Sequence, residues 1–280
     1  VAEYRFDTAT AKPRNRETAM IDTRRIVDRL TTIESIAVIP RVASTNLVAR
    51  RIVNECIENE LSLPKAIIIA GEQFAGRGRN ARQWSSPAGK GIYATTLLPR
   101  PASELPLIPL EMANIVASYL REVFAVDARI KWPNDILVGG KKIAGILIEA
   151  RINEARAFLL IGTGINVEPV ADDTRPNATT ISEVSPRGFH GIDAATEAFI
   201  EHLDQRLGRP VDAEAVLEEW RRYSIHEAGD RIRCVIGERT IEGLWEGIDE
   251  HGRALLRDGS ETIAVSAGDL ILVEKPALHD

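Results

Sequence analysis

"KWPNDILVGGKKIAGILIE", residues 131–149, holds two short apolar runs on either side of Gly139-Gly140. A two-residue hairpin turn needs positive φ at its centre, which glycine adopts without strain, so the stretch predicts strands over 135–138 and 142–150. Pro133 keeps Trp132 extended, and "ARIKW" (128–132) reads as a further short strand. Outward from this hairpin, "AFLLIGTGINV" (157–167), "GIYATTLLP" (91–99) and "AIIIAGEQ" (66–73) are strands of the buried type. "AVIPRVAST" (37–45) is an earlier strand that turns into a helix from Asn46, marked by Ala49, Ile52, Val53, Cys56 and Ile57 at helical spacing. Ile108, Met112, Ile115, Val116, Tyr119, Leu120 and Val123 mark an amphipathic helix over 104–124. Shorter helices are expected over 22–32, 193–207 and 212–223, the last capped by Asp212.

From Gly229 the texture changes to short alternating strands split by glycine-containing turns, which predicts a small β-barrel of SH3-like size with a boundary near 226–229. Residues 1–20 are polar and without period, and are expected to form a flexible arm. The expected division is therefore an arm at 1–20, a main domain at 21–226 and a small domain at 227–280.

The 280 residues carry a net charge of −6, with 44% hydrophobic and 27% charged residues, values that support a packed core. An acidic chain is a poor partner for nucleic acid, so a local cluster of arginines suits a small anion better than a polyanion. Cys56 and Cys234 lie in apolar patterns and read as buried free thiols; no Cys/His metal spacing exists. No apolar run reaches the roughly 20 residues needed to span a bilayer. The polar start does not resemble a signal peptide, so a cytoplasmic location is expected.

Four stretches carry possible chemistry, each with a plainer alternative. "AGEQFAGRGRNARQW" (70–84) brings Gly76 and Gly78 together with Arg77, Arg79, Arg82 and Trp84. The glycines let backbone approach a ligand, the guanidinium groups suit phosphate or carboxylate, and the indole offers a face to a purine. The alternative is a basic loop paired with surface carboxylates. It lacks the spacing of a P-loop. Lys131, Asn134 and Asp135 are presented at a strand end, and Lys142 precedes a strand whose Gly145 leaves room against the backbone; edge lysines also serve to prevent aggregation. Ser44-Thr45-Asn46 stands where a helix N-cap is expected but can also hold a small polar ring. "IGTGIN" (161–166) is half of a dinucleotide fingerprint, with Val167 at the third glycine position.

Taken in order, these stretches resemble the biotin–protein ligases, over about residues 35–275. The resemblance implies an α+β fold with a mixed central β-sheet and flanking helices, of the class II synthetase-like biotin–lipoyl ligase type, plus the small C-terminal SH3-like barrel. It implies ATP, Mg²⁺ and biotin as ligands, and a biotin carboxyl carrier domain of a biotin-dependent carboxylase, such as acetyl-CoA carboxylase, as partner. It places Ser44, Thr45 and Gln73 on the ureido ring of biotin with Asn46 nearby, and Gly145, Ile146, Leu147, Gly162 and Gly164 along its thiophane ring and valeryl chain. Gly76, Arg77, Gly78 and Arg79 would wrap the carboxylate and α-phosphate, with Lys142 and Arg79 at the reacting atoms. Arg82, Lys131 and Asn134 would serve the phosphates or metal, Trp84 and Asn166 the adenosine, and Asp135 a metal.

Some family members carry an N-terminal DNA-binding domain of roughly 60 residues, whereas only about 35 residues precede the first core strand here; a monofunctional ligase without specific DNA binding and without membrane contact is expected. A homodimer is left open. The competing readings are a lipoate or octanoate transferase, a non-catalytic binding protein with a degenerate site, and a nucleic-acid module built on the arginine loop.

Overall fold

The computed structural model describes residues 24–153, 156–171 and 176–275; the expected arm, 1–20, lies outside them. The first part runs α1 (Arg24–Val27), β1 (Ser35–Val42), α2 (Thr45–Glu58), β2 (Ala66–Gln73), β3 (Gly91–Pro101), α3 (Ile108–Phe124), β4 (Arg129–Lys131) and β5 (Asp135–Val138). It continues through β6 (Lys141–Asn153), β7 (Arg156–Asn166), α4 (Ile181–Val184), α5 (Ile192–Leu207) and α6 (Ala213–Tyr223). The last part is β8 (Arg231–Ile236), β9 (Arg239–Ile248), β10 (Ala254–Asp258), β11 (Glu261–Val265) and β12 (Asp269–Glu274).

Seven strands form one sheet in the order β1-β2-β3-β7-β6-β5-β4. Only β1 and β2 run parallel, so the sheet is mixed, as expected. Gly139 and Gly140 both take positive φ in the β5–β6 turn, the conformation that the hairpin required. Period-two alternation divides β2 between two cores: Ile67 and Ile69 join the cluster under α3, while Ala66 and Ile68 join a smaller one under α2 with Ala49, Val53 and Cys56. Helices α5 and α6 pack on α3, which explains why α3 is buried around most of its circumference rather than along one stripe. The final five strands form an antiparallel SH3-like sheet ordered β11-β10-β9-β8-β12.

Three local expectations change. The helix expected over 22–32 shortens to α1, with Asp22 and Thr23 outside the described residues. The backbone N–H groups of Thr31, Thr32 and Ile33 go instead to the Asp204 carboxylate, at 2.9, 2.8 and 2.6 Å. Burial alone would raise the pKa of Asp204, but these donors outweigh it and hold the group below the ordinary carboxylate range. The helix expected from 104 begins at Ile108, because 102–107 forms a 3-10 turn around Pro106 and Pro109 falls in the first helical turn, where its missing N–H costs nothing. Helix α4 lacked a hydrophobic period in the sequence and is set by a capping box between Thr180 and Glu183. Both cysteines are buried and free, as expected. Among the described residues no helix is long and apolar enough to cross a membrane.

The two sheets meet at a seam of aromatic rings. Trp132 donates its indole N–H to Gly252 O at 3.0 Å, and its backbone N–H goes to His226 Nε2 at 3.1 Å. The His226 ring stacks on Trp245 with centroids 4.7 Å apart. Burial, with Lys131 and Lys275 acting in the same direction, pushes the imidazole down to about 4. An unfolded histidine protonates near 6.5, so between these values the unfolded chain binds a proton that the folded chain refuses. The contribution of His226 to stability is therefore intact above pH 6.5 and falls as pH drops towards 4, by on the order of 3 kcal/mol. Denaturant titrations across this window should show a shallower loss in His226→Gln, which keeps an acceptor for Trp132. Superimposable profiles would remove His226 from the acid response.

Candidate functional site

A cleft of about 240 Å³ opens over β6 and β7. The sequence provides room for it with three glycines on these strands. A Cβ on Gly164 would stand 2.5 Å from the Trp84 indole, one on Gly145 2.9 Å from the same ring, and one on Gly162 2.4 Å from Asn46 Oδ1. These three glycines line the cleft, yet what lies against them here is protein: the side chains of Trp84 and Asn46.

At one end the start of α2 supplies small polar groups. Ser44 occupies the N-cap position, but its hydroxyl makes no cap hydrogen bond. The N–H of Thr45, the first residue of α2, is taken by Gln73 Oε1 at 2.8 Å, so a side chain from β2 satisfies one of the helix's free N–H groups. Gln73 Nε2 donates to Ser86 Oγ at 2.9 Å. Behind them Thr95 Oγ1 lies 2.7 Å from Thr45 Oγ1 and 2.6 Å from Asn46 Oδ1. Asn46 Nδ2 donates to Glu149 Oε2 at 3.1 Å, and Glu149 is ion-paired with Arg50. Ser44, Thr45, Asn46 and Thr95 are all buried, and the orientations of the last three are fixed by these bonds rather than by solvent.

At the other end lie the charges. Arg77, Arg79, Arg82 and Lys142 line the cleft with two carboxylates, Asp135 and Asp269. The arginine loop folds back on itself through Gly78 N–H to Arg82 O (2.8 Å) and Trp84 N–H to Gly76 O (2.9 Å). Gly76 does not line the cleft; a Cβ there would meet Trp84 O at 2.3 Å, so this glycine permits the fold-back. Arg79 donates to Asn134 Oδ1 at 2.8 Å and to Gly268 O at 3.3 Å, and Arg82 pairs with Asp269 at 2.6 Å. The small domain thus holds the loop from outside. Lys142 pairs with Asp135 at 2.6 Å, and its ammonium stands 5.3 Å from the centre of the Trp84 ring. Asn134 is locked to β6 both ways, through its Nδ2 to Ile146 O (2.9 Å) and Ile146 N–H to its own carbonyl (3.0 Å).

Of the residues singled out from the sequence, Ser44, Thr45, Asn46, Gln73, Arg77, Gly78, Arg79, Arg82, Trp84, Asn134, Asp135, Lys142, Gly145, Ile146, Leu147, Gly162 and Gly164 come together on this cleft. Lys131 does not line it, and its charge bears on His226 instead. Asn166 lines an adjoining hollow of about 180 Å³ with Lys90, Tyr93 and Thr180, and donates to Lys142 O and Thr179 O. Sequence reasoning missed Thr95, Ser86, Glu149 and Asp269. Thr95 carried one usable signal, a pair of hydroxyls, Thr95 and Thr96, within an otherwise largely apolar stretch of β3.

The model of the Biotin/lipoate A/B protein ligase family matches residues 38–166, and that of the Biotin protein ligase C terminal domain matches 229–273. The biotin–[acetyl-CoA-carboxylase] ligase of Paracoccus denitrificans is 31% identical over 222 residues, covering 73% of this chain and 89% of its own. The enzyme of that name from Mycobacterium tuberculosis is 29% identical over 222 residues, covering 73% and 78%. The biotin protein ligase of Aquifex aeolicus, solved in complex with biotin and ATP, has the same fold, with a TM-score of 0.68 at 23% identity over 87% of this chain and 100% of its own. A main sheet and a small C-terminal sheet that both match, joined to a cleft with polar groups at one end and arginines at the other, place the chain in the biotin–protein ligase family.

Proposed function

We propose that the cleft binds biotin with its ureido ring among Ser44, Thr45 and Gln73, and its carboxylate towards Arg77, Arg79 and Lys142, where ATP meets it. The observation that carries this is the polarity of the cleft, with hydrogen-bonding groups at one end and four cationic side chains at the other. The reaction joins two anions. A biotin carboxylate oxygen attacks the α-phosphorus of ATP, pyrophosphate leaves, and biotinyl-5′-adenylate forms. A lysine amine of a carboxylase's biotin carboxyl carrier domain then attacks the acyl carbon, AMP leaves with the bonding pair, and an amide remains. No nucleophile from this chain is needed. Its contribution is to neutralise repulsion and to hold the reacting atoms in line.

Lys142 is fitted for the reacting centre, because it lies on β6 with its ammonium beside Trp84 and with Asp135 as its only ion-pair partner among the described residues. Phosphate oxygens would replace Asp135 and Asp269 on Lys142, Arg79 and Arg82. Mg²⁺ fits as an ion carried on the nucleotide's phosphates with Asp135 as a single protein ligand, since no cluster of three metal-binding side chains exists among the described residues. It would draw charge from the leaving pyrophosphate. Trp84 would face the adenosine, with Asn166 and the adjoining hollow beyond it. We place the boundary between ligase and small domains at 226–227, with the small domain steadying the arginine loop through Gly268 and Asp269. A polar ring site argues against a lipoyl substrate, whose dithiolane offers no N–H groups.

Biotin-dependent exchange of labelled pyrophosphate into ATP tests the reading. Lys142→Ala should lower the exchange rate roughly 100-fold or more at saturating substrates. Undiminished exchange would remove Lys142 from the chemistry, and no exchange in the folded wild type would overturn the function. A second expectation concerns the bare strand. Gly164→Ala should displace the Trp84 indole and raise KM for ATP by about tenfold or more, with a far smaller effect on KM for biotin; equal effects on both would show general damage to β7.

A further inference from the structure

Behind the ring end of the cleft one chain of contacts runs to the surface: Arg50 to Glu149, Glu149 to Asn46, Asn46 to Thr95, Thr95 to Thr45. Its direction follows from the carboxylate. Ionised Glu149 can only accept, so Asn46 must turn its amide N–H₂ towards it; the flipped amide would set oxygen against oxygen. Asn46 Oδ1 is then an acceptor facing Thr95, and the single proton of Thr95 goes there, across 2.6 Å. Thr95 can only accept from Thr45. The proton of Thr45 is therefore used within the protein, by Thr95 Oγ1 at 2.7 Å or by Gln73 Oε1 at 3.2 Å. Gln73 cannot reverse this, because the backbone N–H of Thr45 requires its oxygen at 2.8 Å.

We infer that the Arg50–Glu149 pair, acting through Asn46 and Thr95, makes Thr45 Oγ1 an obligate acceptor towards the cleft, so that the site selects a ligand with an N–H at that edge of its ring. The inference rests on the biotin reading and deepens it. Glu149 and Thr95 are positioning residues: neither lines the cleft, and Thr95 is wholly buried. Without the charge on Glu149 the Asn46 amide is free to flip and the chain reverses. The Thr45 proton then has only Gln73 Oε1 at 3.2 Å or the ligand to go to, and acceptance from the ligand's N–H is no longer obligatory. Gly162 belongs to the same device, since any Cβ there would strike Asn46 Oδ1 at 2.4 Å.

Calorimetric titration of the full chain with biotin, and with the two biotins singly methylated on a ureido nitrogen, tests this. Wild type should bind biotin and discriminate against the analogue whose methyl replaces the N–H facing Thr45. Thr95→Val should weaken biotin roughly tenfold and leave that analogue's affinity nearly unchanged, so that discrimination shrinks by the same factor. Thr95→Ser, which keeps the hydroxyl, should recover binding to within about threefold. Glu149→Gln should also reduce discrimination, and because that side chain is partly exposed it carries the test if Thr95→Val does not fold. Wild-type affinity and full discrimination in the folded variants would overturn the inference. Failure of the wild type to bind biotin would overturn the ligase reading instead.

Discussion

Three glycines on the cleft side of β6 and β7 are the constraint on which the site depends. Gly145, Gly162 and Gly164 leave β6 and β7 open to close approach, and two side chains already use that space, Trp84 and Asn46. Neither could keep its position against an alanine, because the separations of 2.4 to 2.9 Å are below any tolerable Cβ contact. The antiparallel pairing of Gly145 with Gly164 and of Leu147 with Gly162 brings the bare positions into one patch. Flanking residues Ile161 and Ile165 belong to the core and do not line the cleft, so its floor is backed by packed side chains.

The arginine loop depends on that floor and on the small domain together. Arg79 reaches Asn134, which is tied to β6, and also Gly268, which precedes β12. Gly268 takes a φ of +152°, and a Cβ there would press on Cys234, so the carbonyl that receives Arg79 is set by the barrel's own packing. The aromatic seam of Trp132, His226 and Trp245 fixes the same two sheets from the far side. A charged loop is thereby held by the domain that does not contain it, through the Gly268 carbonyl and the Asp269 carboxylate.

Much of this was legible in the sequence, and the losses have physical causes. Strand spacing and the Gly139-Gly140 turn are local properties, so the β5–β6 hairpin came out as expected. The quoted motifs lie at strand ends and turns, and most of their side chains do meet at the cleft. Lys131 does not line the cleft, and a three-residue strand such as β4 gives too little alternation to show which face a side chain takes. The segment after α1 looked helical because nothing nearby shows that Asp204, more than 170 residues away, captures its N–H groups. Thr95 and Glu149 were missed for a related reason: they act through other side chains, and a sequence displays the residue at a position but not its partner.

Ser44 and Gln73 depart from an ordinary local rule. A serine before a helix normally accepts from the helix N–H groups, and here it does not. Gln73 accepts instead from the first helical N–H, that of Thr45, and is itself oriented by it, so one hydrogen bond both satisfies a free N–H of α2 and fixes which end of the amide faces the cleft. Buried hydroxyls and amides are costly unless every proton has a defined destination. A chain that ends on an ion pair meets this condition more firmly than one of neutral groups, because a carboxylate cannot reverse its role. The stability of the network and the selectivity of the cleft therefore have one cause, the fixed direction of the protons between Glu149 and Thr45.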